Sequence, residues 1–188
     1  MNESRPTCIA FSGIRRIASG NLPEVARAAK AEMDRDRWAQ VLIFDDVTSN
    51  LIEVDLRGSE PGVEPVPPQE ETRRPGRPKL GVVAREVTLL PRHWEWLAGQ
   101  PGGASVALRK LVEQARSANQ GRDRRRRAQE SAYRFLSAMA GNARGFEESI
   151  RALFAGERDR FNQIVEPWPV DVRDHARKLA AVAFESKH

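Results

Sequence analysis

Apolar and polar positions divide the chain into a strand-rich start, a stretch without pattern and a helical remainder. Thr7–Phe11 (TCIAF) is short and apolar and predicts a strand, with Ser12–Gly13 as a turn and Ile14–Ala18 as the returning strand of a hairpin. Asn21 followed by Glu24 has the spacing of a reciprocal helix N-cap. Leu22, Val25, Ala26, Ala29 and Met33 then fall on one face of the helix it opens. Trp38–Phe44 is rich in β-formers and predicts a central strand. After a turn at Asp46–Asn50, Leu51–Leu56 alternates apolar with acidic, as a half-exposed strand does. Residues 1–58 therefore predict a small ββαββ module.

Residues 59–80 carry no apolar periodicity and are dense in proline, glycine and charge, the composition of an extended linker. Residues 81–120 predict a strand–helix–helix unit. Gly81–Leu89 reads as a strand, and Pro91 opens a helix that carries Trp94, Leu97 and Ala98 inward. Gly102–Gly103 breaks that helix. A second helix runs from about Ala104, with Leu108, Leu111, Val112 and Ala115 on one face. Residues 121–188 predict a helical subdomain. Its stripes are Ala128, Ala132, Phe135, Leu136 and Met139, then Phe146, Ile150, Leu153 and Phe154, then Phe161, Ile164 and Val165. Gly141, Gly156, Pro167 and Pro169 separate them, and Asp171 is placed to cap a last helix bearing Val172, Leu179, Val182 and Ala183. Together these elements make an α+β protein.

Charge changes this picture more than overall composition does. Residues 1–70 hold 8 Lys/Arg against 12 Asp/Glu, residues 71–130 hold 14 against 6, and residues 131–188 hold 9 against 8. Two basic runs, Arg73–Lys79 and Arg122–Arg127, bracket the strand–helix–helix unit. A segregated positive field attracts polyanions. The lone cysteine, Cys8, sits in an apolar run and reads as packing; one thiol builds no disulfide framework, which fits a reducing, cytoplasmic setting. No run is long and apolar enough for a membrane span, and the first residues lack the basic-then-apolar pattern of a secretory leader.

Three resemblances follow from these residues. The run Gly76–Leu111, with Phe44–Asp46 and Val54–Gly58, resembles an uncharacterised bacterial family, the domain of unknown function 2239. The likeness covers nearly the whole chain and implies a bacterial cytoplasmic protein with no established activity. Within it, residues 83–118 resemble a ribbon-helix-helix domain. That resemblance implies a homodimer whose paired strands enter the major groove of DNA, with the start of the second helix gripping a phosphate. It places Arg85 and Thr88 on the ribbon, Gly103, Ala104 and Ser105 at the phosphate, and Val87, Leu89, Trp94, Leu97, Leu108 and Leu111 in the dimer interface. Counting back from Leu90 puts Glu86 and Thr88 inside, so the match needs a bulge between Leu89 and Leu90, or another phase. Finally, RRPGRPK resembles an AT-hook, which implies minor-groove contact by Arg73, Arg74, Gly76, Arg77, Pro78 and Lys79. Pro75 stands where that motif usually has a basic residue.

Arg122–Arg127 is expected near a helix start, with Arg124 and Arg125 toward phosphate. Catalytic chemistry has little to stand on. His93, His175 and His188 show no metal-ligand spacing, and Ser12 and Ser105 have no base nearby in sequence. Asp45 and Asp46 are consecutive on a strand and face opposite ways. Trp94 reads as core or interface, with Trp96 or His93 toward a partner. The expectation is a DNA-binding transcriptional regulator or nucleoid factor, with no cofactor, no metal and no catalytic residues. It is dimeric, and residues 1–58 are available to a protein partner. The competing class is a scaffold whose basic centre meets an acidic partner.

Overall fold

The computed structural model describes residues 7–56, 83 and 85–185. The protein is α+β. Strands β1 (Thr7–Ser12), β2 (Arg15–Asn21) and β3 (Val41–Asp45) form an antiparallel sheet in the order β2-β1-β3. Helix α1 (Leu22–Arg35) links β2 to β3. Helices α2 (Pro91–Ala98), α3 (Gly103–Ala140), α4 (Phe146–Ala155), α5 (Arg158–Val165) and α6 (Val170–Ala181) follow, with a short 3-10 turn at Val182–Phe184. The chain divides into two compact units: Met1–Val63 with Gly121–His188, and Glu64–Gln120. They are called unit 1 and unit 2 below.

In unit 1 the central strand β1 is buried on both faces, which is why its sequence is a continuous apolar run and not an alternating one. Cys8 and Ala10 pack with Val25 and Ala29 of α1. Ile9 and Phe11, on the opposite face, join Phe44, Phe135, Leu136, Leu153, Phe161 and Val165 in the main core. Asn21 caps α1 as its spacing predicts, its side-chain oxygen accepting from the Glu24 N–H at 3.0 Å. The hairpin has the expected strands, with a bulge opposite Ala10 and Phe11.

Several elements differ from expectation. Leu51–Leu56 alternates in burial, and Ile52, Val54 and Leu56 cover the α1 side of the sheet. Yet it is not a fourth strand. It makes one bridge, Leu51 to Phe44, and one further bond from the Ile52 N–H to the Ile43 carbonyl. Alternation reports which side chains are buried, not whether the backbone is laddered. Trp38–Gln40 belongs to the turn before β3, and Met33 lies off the buried face of α1. Asp171 is not the cap of α6; that position is Pro169, and Asp171 sits in the first turn.

The largest difference is α3. Two helices separated near residue 120 are expected, but one helix of 38 residues runs from Gly103 to Ala140. The residues from Asn119 to Arg127 hold no apolar stripe, which makes them look like a break. They also hold no proline, and arginine and glutamine are good helix formers, so the backbone continues through Gly121. Arg122–Arg127 therefore lies inside a helix and not at its start. In unit 2, Val83 and Arg85–Leu90 adopt no strand, and Leu97 and Ala107 are the buried apolar residues among those described. Pro91 opens α2 with Leu90 as its cap residue.

Candidate functional site

The AT-hook-like residues Arg73, Arg74, Gly76, Arg77, Pro78 and Lys79 lie outside the described residues. Of the remaining expected contacts in unit 2, Arg85, Thr88 and Ser105 are exposed, and Gly103 and Ala104 are half-buried at the start of α3. The Gly103 N–H already donates to the Gln100 carbonyl at 2.9 Å. A helix start leaves its first N–H groups without intrahelical partners, so Ala104 and Ser105 carry what anion-binding capacity this turn has. The expected interface residues split. Leu97 is buried within its own unit, and Leu89 and Leu108 are half-buried. Val83 is 72% exposed, Val87 55% and Leu90 50%, and Trp94 and Leu111 are exposed as well.

The arginines of α3 in unit 1 are held in different ways. Arg124 pairs with Glu185 at 3.2 Å. Arg125 turns toward the end of α4, its Nη2 only 2.4 Å from where a Cβ on Gly156 would stand. Gly156 is in the left-handed region at φ 79°, the conformation that ends α4, and the residue's lack of a side chain leaves room for the guanidinium. Arg126 is exposed and pairs with Asp123 at 3.4 Å, one turn back on the same helix. The two arginines singled out from sequence are thus both engaged within the fold.

Unit 1 also holds a polar cavity of about 250 Å³, lined in part by Cys8, Arg16, Ser19, Asp46, His175 and Lys178. Its residues come from β1, β2, the turn after β3 and α6. Asp45 and Asp46 do face different partners. Asp45 closes the turn, accepting from the N–H groups of Val47 and Thr48 and from the Thr48 hydroxyl. Burial acts to raise its pKa, but these donors outweigh it and hold the carboxyl below its ordinary value. Asp46 takes two bonds from Lys178 Nζ, at 2.8 and 2.6 Å. The Arg16 N–H donates to Asp171 at 2.9 Å, a second tie between the sheet and α6.

His175 is the feature sequence reasoning missed. It is 3% exposed, its ring lies 4.6 Å from that of Phe135 and 5.8 Å from that of Phe11, and its Nε2 has no hydrogen-bond partner. Burial pushes its pKa down to about 4; nearby Asp46, with Nδ1 4.0 Å from the carboxylate, acts against this, and Lys178 and Arg16 add to it. The imidazole is neutral at pH 7 and a weak base. Cys8 is pushed the other way, its thiol pKa raised by burial and by Asp45 and Asp46. A raised thiol beside a weak base is the reverse of an activated nucleophile. Its one sequence signal is a helical one: His175 falls on the same α6 face as Val172 and Leu179.

Among the described residues no cluster of three or more His, Cys, Asp or Glu is placed to hold a metal, and no helix is long and apolar enough to cross a membrane. The fold and these sites define a mixed α+β protein in which a three-stranded sheet carries its polar cavity against a helical layer. The chain belongs to a family of uncharacterised proteins conserved in bacteria, the domain of unknown function 2239, which it matches over residues 7–180. No curated protein and no solved structure matches it.

Proposed function

We propose that the protein binds double-stranded DNA as a homodimer, through residues 81–120 and the basic arm at Arg73–Lys79. The observation that supports this most is the open apolar surface of unit 2. Val83, Val87, Leu90, Trp94, Leu111 and Val112 are all exposed in the single chain. Leaving that much apolar surface in water is costly, and with so little core among its described residues this small unit has reason to take a partner. A second copy supplies one by pairing the 83–89 segments as a ribbon and covering the Leu108–Leu111–Val112 stripe. The paired ribbon presents Arg85 and Thr88 to the major groove. Segregated positive charge in residues 71–130 supplies the sequence-independent affinity.

The test joins solution mass to an electrophoretic shift with duplex DNA at about 50 and about 200 mM salt. The expected result is a dimer and a shift. With about five phosphates neutralised, log affinity falls with log salt at a slope of about −4 to −5. Replacing Arg74 and Arg77 by Ala weakens the shift. A monomer, or no duplex shift at the lower salt, overturns the reading; binding to an acidic protein in place of DNA supports the scaffold class.

A further inference from the structure

We infer that the outer face of unit 1 around Tyr133 and Phe154 is a stacking surface for the unpaired bases of a single-stranded nucleic acid. This inference does not rest on the duplex reading above. Tyr133 on α3 and Phe154 on α4 lie with ring centroids 6.2 Å apart and planes at 59°. They are 45% and 49% exposed, whereas Phe11, Phe44, Phe135 and Phe161 are fully buried. The fold thus buries four of its phenylalanines and holds this neighbouring pair at the water boundary.

A side-chain bond joins the two helices next to the pair. Gln129, one turn before Tyr133, donates through Nε2 to the carbonyls of Leu153 and Phe154 at 3.2 and 3.4 Å. That bond ties α3 to α4 beside the rings, which lowers the ordering a ligand would have to impose. Cations flank it on both helices. Arg126 precedes Tyr133 by seven residues, within about 20° of the same helix face and about 10 Å along the axis. Arg151 precedes Phe154 by one turn of α4. Both are exposed, and among the described residues each pairs with an i,i+3 carboxylate, Asp123 at 3.4 Å and Glu148 at 3.8 Å. Exposed pairs of this kind are weak, so a phosphate can take the carboxylate's place. Arginines one to two helix turns from half-exposed rings suit a chain of phosphates and unpaired bases, because every base has a π-face to stack. In a duplex those faces are already stacked on each other and the grooves offer only edges. An acidic peptide would satisfy the arginines but leave the rings unused.

The experiment uses the full chain and a fluorescein-labelled oligothymidylate, followed by anisotropy at about 50 and about 200 mM salt. Binding is expected at the lower salt. Tyr133→Ala and Phe154→Ala each weaken it by about 5- to 150-fold, while Tyr133→Phe, which keeps the ring, binds like the wild type. Arg126→Ala and Arg151→Ala weaken it and flatten the salt dependence by about 0.7 per phosphate lost. In the variant with Arg74 and Arg77 replaced by Ala, duplex affinity is weakened while oligothymidylate binding keeps its dependence on the Tyr133 ring, which separates this surface from the duplex reading. Far-UV circular dichroism of each variant confirms the fold. The inference is overturned if oligothymidylate does not bind, if Tyr133→Leu binds as well as Tyr133→Phe, or if a polyglutamate peptide displaces the oligonucleotide at equal charge concentration.

Discussion

Replacing His175 by Phe should remove a pH dependence that the wild-type protein must have. The native state holds this imidazole neutral, with its pKa pushed down to about 4, while the unfolded chain titrates near 6.5. Between those values the unfolded state binds a proton that the folded state refuses, so folding stability falls as pH drops through 6.5 and levels off below about 4. Above 6.5 the group contributes its full share. A unit of pKa difference is worth a little over 1 kcal/mol, so the group's loss is about 1 kcal/mol between pH 7.5 and 5.5, and about 2–3 kcal/mol by pH 4.5. The ring packs against both Phe11 and Phe135, which also touch each other, and its Nε2 is unpartnered, so Phe fits the chemistry of the site and removes an unsatisfied polar atom. His175→Phe should stay within about 1.5 kcal/mol of the wild type at pH 7.5. The assay is urea unfolding at pH 7.5, 5.5 and 4.5, followed by near-ultraviolet circular dichroism, to which buried Trp168 contributes. Asp45 and Glu166, whose pKa values are lowered in the fold, also lose stability in acid, but they do so equally in both proteins and cancel in the difference. Equal acid sensitivity of wild type and variant would refute the reasoning.

Two further perturbations test the packing around α3. Gly156→Ala places a Cβ both in the left-handed backbone region and against the Arg125 guanidinium, and should cost about 1–2 kcal/mol for the backbone alone. In an Arg125→Ala background the steric part disappears, so a thermodynamic cycle that shows no coupling between the two positions would count against the contact. Ser131→Ala strands the Val47 carbonyl and the Ser49 hydroxyl, which bond Ser131 Oγ at 2.7 and 2.9 Å, and should cost about 1–3 kcal/mol in urea unfolding. A change below about 0.5 kcal/mol would mean that water replaces that hydroxyl without loss.

The local grammar of this chain is legible in its residues alone. The hairpin, the Asn21 cap, the Pro91 helix start and the helix ends at Gly141 and Gly156 each depend on residues within a few positions of one another. The errors share a cause too. Leu51–Leu56 alternates because one side of it covers a core, and that pattern is the same with or without a hydrogen-bonded neighbour. The continuous α3 escapes a reading by stripes because an apolar stripe marks where a helix packs, not where its backbone ends. The basic run is visible as a run, but which arginines face outward is not. Arg124 meets Glu185, 61 residues away, and Arg125 meets the end of α4, and neither contact has a sequence signature.

Sequence alone determined the composition of the parts: an α+β chain, a segregated basic centre, one buried thiol and helices with defined apolar faces. Those properties follow from backbone propensity and periodicity, which act over a few residues. Tertiary structure decided the rest, because it brings together groups that the chain keeps far apart. Asp46 and Lys178 are 132 positions apart yet share two hydrogen bonds, His175 loses its basicity only because β1 and α3 bury it, and Tyr133 and Phe154 form a pair only because α4 folds back beside α3. Charge, burial and stacking depend on distance in space, and that distance is set by how the core packs.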